Sequence, residues 1–143
     1  MKLVEIKIYE KTTSKFLFNL RNKSYVRENS INKKILKYNT HIYWLRDFLN
    51  KKNRIFIIYQ NKTKAGYIRL QKINKHCDVS WAILKKFQMK GLAKKSLINL
   101  TKNKKNKYRA VIKKNNITSI KVALNSNFRL KLSRNNIQYY YKN

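Results

Sequence analysis

The sequence predicts an α/β (α+β) fold in which a mixed, mostly antiparallel sheet of about seven strands is flanked by about four helices. Apolar residues follow strand and helix periods in the order β α α β β β α β α β β, which a central sheet with helices on both faces packs economically. Hydrophobic residues make up 43% of the chain and aromatic residues 13%, enough for a folded core. Its 143 residues suffice for one such core, so we expect a single domain over residues 1–143.

The N-terminal third predicts one strand and two helices. Alternation over residues 3–9 predicts an edge strand, and the Thr-Thr-Ser run at 12–14 offers N-caps for a first helix. Residues 21–34 are polar without a regular period and predict a structured loop. A second helix should begin after residue 39 or 40. The inward-facing residues expected on these two helices are Phe16, Leu17, Leu20, Leu45, Phe48 and Leu49.

The middle of the chain predicts three strands and a helix. The apolar run 54–59 indicates a strand covered on both faces, and a turn at 61–64 returns it as an antiparallel hairpin into 65–70. A third strand is expected at 78–84, followed by a loop and a helix that ends near Leu100. The buried face predicted for that helix consists of Ala93, Ser96, Leu97 and Leu100.

The C-terminal third predicts a strand at 108–112, a helix at 116–125 and two closing strands. The first closing strand alternates over 128–132, and the second ends in the tyrosine run 139–141, which we expect on an edge strand. The residues in helical register on the 116–125 helix are Ile117, Ile120 and Leu124.

The charge of the chain has two readings. Lysine and arginine number 36 against five acidic residues, a net charge of +31 that points to nucleic acid. Lys, Asn, Ile and Tyr are abundant while Gly is 2 and Pro is 0, the joint bias of an A/T-rich genome. We interpret the lysines mainly as a solvated coat, with non-specific attraction to RNA or other polyanions as its consequence.

Other functional classes are disfavoured by what the sequence contains. One cysteine, Cys77, gives no internal disulfide and fits a reducing compartment, and two histidines do not make a His-rich metal site. No apolar run has membrane-spanning length, and the N-terminus lacks a signal-peptide core. We therefore expect a cytoplasmic protein without a metal or a membrane partner, whose oligomeric state is open.

The loop Gln88-x-x-Gly91-x-Ala93 has the composition of a phosphate cradle. The first N–H groups of a helix lack partners, the helix dipole adds partial positive charge, and a glycine leaves the backbone accessible. Lys90, Lys94 and Lys95 add formal charge at the same place. A glycine at a strand–helix junction is by itself more often only a turn, so the loop gains weight from its flanking motifs.

Two motifs in this order resemble the GNAT superfamily of N-acetyltransferases. The family's acetyl-CoA loop reads Arg/Gln-x-x-Gly-x-Gly/Ala, as residues 88–93 do here. Its penultimate helix has a pattern that Asn116, Ser119, Ile120, Lys121 and Phe128 match at the right spacing. Segments 20–22, 26–30, 55–58 and 66–70, with His41 and Trp44, look like the subgroup that acetylates amino-sugar nucleotides of the pseudaminic and legionaminic acid pathways.

The resemblance implies acetyl-CoA as co-substrate and assigns residues to it. The positions implied to bind the cofactor are Ala82, Ile83 and Leu84 beside the pantetheine arm, Gln88, Met89, Lys90, Gly91, Leu92, Ala93 and Lys94 around the pyrophosphate, and Asn116 and Ser119. The positions implied to bind the acceptor are Arg27, Asn29, His41 and Trp44. Each has an ordinary alternative: Arg27 as a solvated loop arginine, and His41 as a half-buried helix histidine.

Asp78 is the expected catalytic base, because it is the only one of the five acids on the central strand. The alternative is a carboxylate that pairs with a neighbouring lysine. The chain departs from the family in two places: the tyrosine that often reprotonates the CoA thiolate is Ala123, and the glycine before Phe128 is Asn127. The tyrosines at 139–141 could supply an acid or could simply pack.

The function implied is transfer of acetyl from acetyl-CoA to a primary amine, and the expected acceptor is the amino group of a nucleotide-linked sugar. Two alternatives remain: acetylation of a protein N-terminus, as by ribosomal-protein modifiers, and a catalytically lapsed GNAT-fold module that binds RNA. No RRM aromatic pair or glycine-rich KH loop is present in the sequence.

Overall fold

The computed structural model describes residues 1–143, and its centre is one seven-stranded sheet. The strands are β1 (Lys2–Glu5), β2 (Arg54–Gln60), β3 (Thr63–Ile73), β4 (His76–Ile83), β5 (Tyr108–Lys113), β6 (Arg129–Arg134) and β7 (Ile137–Lys142). The helices are α1 (Lys11–Arg21), α2 (Ser24–Arg27), α3 (Tyr38–Asn50), α4 (Leu92–Leu100) and α5 (Ile117–Asn125), with a 3₁₀ turn at Lys85–Phe87. The spatial order is β1-β2-β3-β4-β5-β7-β6, and only the β4–β5 pair is parallel. The mixed, mostly antiparallel sheet of seven strands is confirmed, with β1 at an edge.

Strand β2 shows why the sheet is covered on both sides. Ile55 and Ile57 belong to a cluster with residues of α1 and α3, whereas Phe56 and Ile58 belong to a larger cluster with residues of α4 and α5. Successive side chains of a strand point to opposite faces, so a continuous apolar run fills both clusters. The fully covered strand expected at 54–59 is confirmed.

The N-terminal helices differ from the sequence expectation in how they start. The N-cap of α1 is Glu10, whose carboxylate accepts hydrogen bonds from the N–H groups of Thr12 and Thr13, so the expected caps at 12–14 lie inside the helix. Helix α3 begins at Tyr38. The expected loop 21–34 contains the single turn α2, which raises the number of helices from about four to five.

The C-terminal third holds two further corrections. Ile117 is 56% exposed and Leu124 is 42% exposed, while Ala123 is fully buried, so α5 turns a different face inward than expected. Strand β7 lies between β5 and β6, so the tyrosine run is internal and β6 is the edge. After α5 the chain first forms the edge strand β6 and then turns back to place β7 beside β5, an order that no local pattern encodes.

Strands β4 and β5 diverge, and this gap positions the site. Their pairing consists of Cys77 with Tyr108 and Asp78 with Arg109. The N–H of Cys77 donates to Lys107 on the β5 side, and the N–H of Leu84 donates to Ala65 on the β3 side. Because backbone groups alternate in direction along a strand, the N–H groups of Trp81 and Ile83, which lie beyond the last paired residues, face the gap without a β5 partner.

Candidate active site

A cavity of about 930 Å³ opens at the gap between β4 and β5. Two parts of the molecule line it. One, the glycine-loop end, consists of residues 87–94 and the start of α5 at 116–119; the other, the arginine end, consists of Arg21, His41, Trp44, Tyr67 and Arg69 from α1, α3 and β3. Such a volume accommodates two ligands of moderate size that meet at the gap.

At the glycine-loop end the backbone is exposed and positively polarised. Gly91 is the N-cap of α4 with φ +75°, a left-handed conformation that favours glycine, and a Cβ there would meet open space. No side chain caps this helix, so its first N–H groups lack a side-chain acceptor. Met89 also has a positive φ of 63°, and its side chain is 90% exposed. The loop is therefore shaped for a ligand that accepts hydrogen bonds from backbone.

The start of α5 adds a side-chain amide to the same end. The Oδ1 atom of Asn116 accepts from the N–H of Ser119 at 3.3 Å and so caps the helix. The amide nitrogen of Asn116 makes no hydrogen bond to protein, and both residues line the cavity. Asn116 can therefore hold the helix start and donate to a ligand at the same time.

At the arginine end, His41 is a packed structural residue. Its ring is 2% exposed, its Nε2 atom lies 3.0 Å from the carbonyl oxygen of Ser14, and burial lowers its pKa. The ring centroids of His41 and Trp44 are 5.8 Å apart, and the Trp44 ring is 5.1 Å from that of Phe48. His41 is therefore neutral and fixes the aromatic wall, and it is more buried than the half-buried alternative supposed.

Two arginines line this end of the cavity, and one of them packs on the aromatic wall. The guanidinium carbon of Arg69 lies 5.4 Å from the centroid of Trp44, and its Nε donates to Ser80 Oγ at 3.0 Å. Arg21 donates from Nη2 to the carbonyl of Asn32 at 2.6 Å, while its Nη1 is buried without a partner. Burial raises the pKa of Tyr67, and the two arginines oppose that rise. The three side chains thus lie within electrostatic reach of one another.

Asp78 lies where the two strands part. Its carboxylate accepts from Arg109 through Nε at 2.7 Å and Nη2 at 2.8 Å, and His76 Nε2 is 3.4 Å away. The ion pair raises the pKa of Arg109, chiefly through the hydrogen bond to Asp78. The alternative expected for Asp78 was an ion pair with a neighbouring lysine. The ion pair is present, but its partner is Arg109. Asp78 nevertheless lines the cavity, so its role as base stays a prediction.

Most of the residues assigned from the sequence are brought together in this cavity. Those that line it are Asp78, Ala82, Ile83, Gln88, Met89, Gly91, Leu92, Ala93, Lys94, Asn116, Ser119, Asn29, His41 and Trp44. Leu84, Lys90 and Arg27 do not line it. Arg27 instead donates from Nε to the carbonyl of Asn22 at 3.1 Å and holds the loop after α1.

Sequence reasoning did not find Arg21, Tyr67 or Arg69. Arg69 alternates with buried neighbours on β3, and an inward-facing arginine among the residues 66–70 was the available signal. Arg21 ends α1, where a basic residue is ordinary. Cys77, by contrast, does not line the cavity, and burial raises the pKa of its thiol to about 11, which disfavours the thiolate.

No group of three His, Cys, Asp or Glu side chains could hold a metal ion. None of the helices has both the length and the apolar character needed to cross a membrane.

The chain shares its fold with N-acetyltransferases. Ribosomal-protein-alanine N-acetyltransferase from Brucella melitensis matches with a TM-score of 0.80 at 12% identity over 99% of each chain. Spermidine N-acetyltransferase from Vibrio cholerae, solved with CoA and spermine, matches with 0.81 at 14% identity over 98% of this chain and 94% of that one. The N-acetyltransferase PseH from Campylobacter jejuni, solved with acetyl coenzyme A, matches with 0.71 at 17% identity over 99% and 96%. No protein-family model and no curated protein matches the sequence. The chain therefore has the GNAT fold, and the solved structures that share it include complexes with CoA or acetyl-CoA.

Proposed function

We propose that this protein is an acetyl-CoA-dependent N-acetyltransferase that acts on a primary amine. One observation carries the proposal: the gap between β4 and β5 opens, within a single cavity, onto the uncapped start of α4 at Gly91. A ligand with a pyrophosphate at one end and an amide-rich arm can use both features, because helix N–H groups favour anions and a strand edge offers backbone hydrogen bonds. CoA has that chemistry.

The residues present fit such a ligand. The N–H groups at the start of α4, with Lys94 beside them, would hold the pyrophosphate, and the gap-facing backbone of Trp81 and Ile83 would hold the arm. The free amide nitrogen of Asn116 would add a donor. Acetyl-CoA supplies an activated thioester when bound.

The chain's own contribution to the reaction is mostly positioning. Holding two reactants in line is worth up to roughly 7–11 kcal/mol in model systems. The amine must also lose a proton, and we propose Asp78 for that role, directly or through water, because it is the only acid in the cavity lining. Its carboxylate accepts two hydrogen bonds from Arg109, which fix its position at the point where the strands part.

No tyrosine of α5 serves as acid in this proposal. Ala123 occupies that position and is fully buried, so the helix offers no proton donor there. A CoA thiolate is a good leaving group near neutral pH, so that transfer does not require a protein acid.

For the acceptor we propose the amino group of a nucleotide-linked sugar. The aromatic wall at Trp44 and the loop residue Asn29 give the arginine end both apolar and polar surface, as a sugar nucleotide requires. The resemblance of residues 26–30, 55–58 and 66–70 to the sugar-directed subgroup supports the same class. Acetylation of a protein N-terminus is the second candidate, supported by the likeness to the ribosomal-protein enzyme.

Mass spectrometry of acetyl-CoA turnover tests this proposal against a panel of free amino sugars, nucleotide-linked amino sugars, spermidine and peptides. We expect acetylated product with a nucleotide-linked amino sugar. Acetylated peptides with every sugar inert would select the second candidate. RNA binding with steep salt dependence, together with no measurable CoA binding, would contradict both and select the lapsed RNA-binding module.

A further inference from the structure

We propose that Arg21 and Arg69 form an oxyanion-binding subsite at the arginine end of the cavity, which selects acceptors that carry a phosphate or carboxylate beside their amine. The inference rests on the proposed transfer reaction, since it concerns the acceptor of that reaction. The resemblance covers segments 20–22 and 66–70, which contain the two arginines, but assigns neither of them a role.

One of the two terminal nitrogens of Arg21 makes a hydrogen bond within the protein, and the other does not. Its Nη2 holds the carbonyl of Asn32 at 2.6 Å and so fixes the segment after α2. Its Nη1 is buried and has no hydrogen-bond partner, and Arg21 lines the cavity. A buried charged donor without an acceptor is costly, so Arg21 keeps an unused donor beside the cavity.

Arg69 is held ready for the same ligand. The bond from its Nε to Ser80 Oγ and the packing of its guanidinium 5.4 Å from the Trp44 ring centroid and 5.8 Å from that of Phe48 restrict its orientation. No hydrogen bond occupies its two Nη groups. A planar guanidinium fixed in this way presents paired donors, which match the oxygens of phosphate or carboxylate.

No acid of the protein neutralises these two cations. Glu5 pairs with Arg54 and Lys7, Glu10 caps α1, Asp47 pairs with Lys51, and Asp78 pairs with Arg109. Glu28 is exposed and does not line the cavity. The arginine end is therefore positive in net charge, and burial together with Arg69 lowers the pKa of Arg21.

An anionic acceptor relieves this charge, whereas a polyamine adds to it. The hydroxyl of Tyr67, which lies near both guanidinium groups, makes no hydrogen bond in the protein and is a third donor for the same oxygens. Spermidine would find one carboxylate in the cavity, Asp78, already occupied by two hydrogen bonds from Arg109. The subsite thus separates this chain from polyamine acetylation despite the shared fold.

Calorimetric titration with UDP tests the subsite in the presence of saturating CoA, which occupies the glycine-loop end. We expect UDP to bind, with at least tenfold weaker affinity in Arg69→Gln and in Arg21→Gln, and with unchanged affinity in Arg134→Gln on the exposed edge strand. Arg69→Lys keeps the positive charge but loses the paired guanidinium donors, so its affinity for UDP should lie between those of the wild type and Arg69→Gln. Arg21→Gln also loses the hydrogen bond to Asn32, so circular dichroism checks that this variant is folded. If Arg21→Gln is unfolded, the affinity of Arg69→Gln alone decides whether the subsite exists.

A parallel titration with glutamate distinguishes a carboxylate ligand from a phosphate ligand. Binding of either ligand that depends on the arginines supports the subsite and shows which of the two anions it prefers. Equal affinity of wild type and Arg69→Gln for both ligands, or binding of neither, overturns it. Acetylation of spermidine by the wild type at a rate that Arg69→Gln does not raise overturns it while the transferase stands. Absence of CoA binding contradicts the transferase instead, and the anion titrations, then run without CoA, still decide the subsite.

Discussion

The two ends of the cavity are built from different parts of the chain. The glycine-loop end is made of backbone from one contiguous segment, the loop from β4 into α4, and a left-handed Gly91 shapes it. The arginine end is made of side chains from α1, α3 and β3, which are distant in sequence. A backbone site binds what is common to all substrates of such a fold, and a side-chain site is free to differ from one protein to the next.

Asp78 lies where the two ends meet, and its substitution should have the largest effect on turnover. General-base assistance is worth about 10²–10⁴-fold in rate, and the competing Arg109 ion pair favours the lower end of that range for Asp78→Asn. CoA affinity should stay unchanged. Turnover is followed by mass spectrometry across pH, with Asp47→Asn, a surface acid, as the matched control.

A turnover number for Asp78→Asn equal to that of the wild type at every pH would assign the carboxylate to structure. A lowered melting temperature is expected in either case, because Arg109 loses its partner.

Gly91→Val should damage the glycine-loop end selectively. A β-branched residue at φ +75° is strained by more than the roughly 1–2 kcal/mol of an ordinary residue, and its side chain would cover the N–H groups of α4. We expect CoA affinity, measured by calorimetry, to fall about tenfold or more. The control is Met89→Gly, which keeps the backbone N–H and removes an exposed side chain. A folded Gly91→Val variant with wild-type affinity would place CoA elsewhere.

Ala123→Tyr distinguishes a catalytic position from a core position on α5. Ala123 has no exposed surface, so the ring would overpack the core and lower the free energy of unfolding by about 1–3 kcal/mol. Urea denaturation measures the change, and Leu124→Tyr on the exposed side serves as control. A faster reaction with undiminished stability would show that the position can supply the missing acid.

Acid pH should weaken the start of α1, the helix that carries Arg21. The hydroxyl and backbone donors of Thr12 and Thr13 lower the pKa of Glu10 from 4.5 to about 2. The folded-state pKa is depressed, so this stabilisation is present above pH 4.5 and is lost as pH falls toward 2. The melting temperatures of wild type and Glu10→Ala should therefore differ at pH 7 and converge near pH 2. Glu28→Ala, an exposed control, should track the wild type throughout; a constant gap for Glu10→Ala would contradict the cap.

The contrast between the ends also explains what the sequence could predict. The Gly91 loop and the cap at Asn116 follow from local chemistry, and so does the left-handed Asn127, with φ +69°, because asparagine tolerates that conformation. The cap at Glu10 was missed because three better capping residues follow it directly. The inward face of α5 was missed because Ala123 is small, and larger apolar residues dominated the helical pattern.

The residues of the arginine end could not be predicted from the sequence, for a different reason. Arg27 was assigned to the acceptor from its place in a polar loop, but its guanidinium holds Asn22 and does not line the cavity. Arg21 and Arg69 line one cavity only because α1 packs on the face of the sheet to which the Arg69 side chain points. In a chain with 36 basic residues, no local pattern distinguishes these two arginines from the solvated majority.

Hydrogen–deuterium exchange with and without acetyl-CoA tests the central claim, that CoA lies between β4 and β5 against the start of α4. We expect protection in peptides covering residues 79–83, where the N–H groups of Trp81 and Ile83 lack a β5 partner, and 89–94, at the uncapped start of α4, with little change across residues 38–50. The measurement at high salt removes non-specific attraction to the lysine coat. Protection confined to exposed basic segments such as 102–107, with residues 79–83 and 89–94 unchanged, would contradict the account.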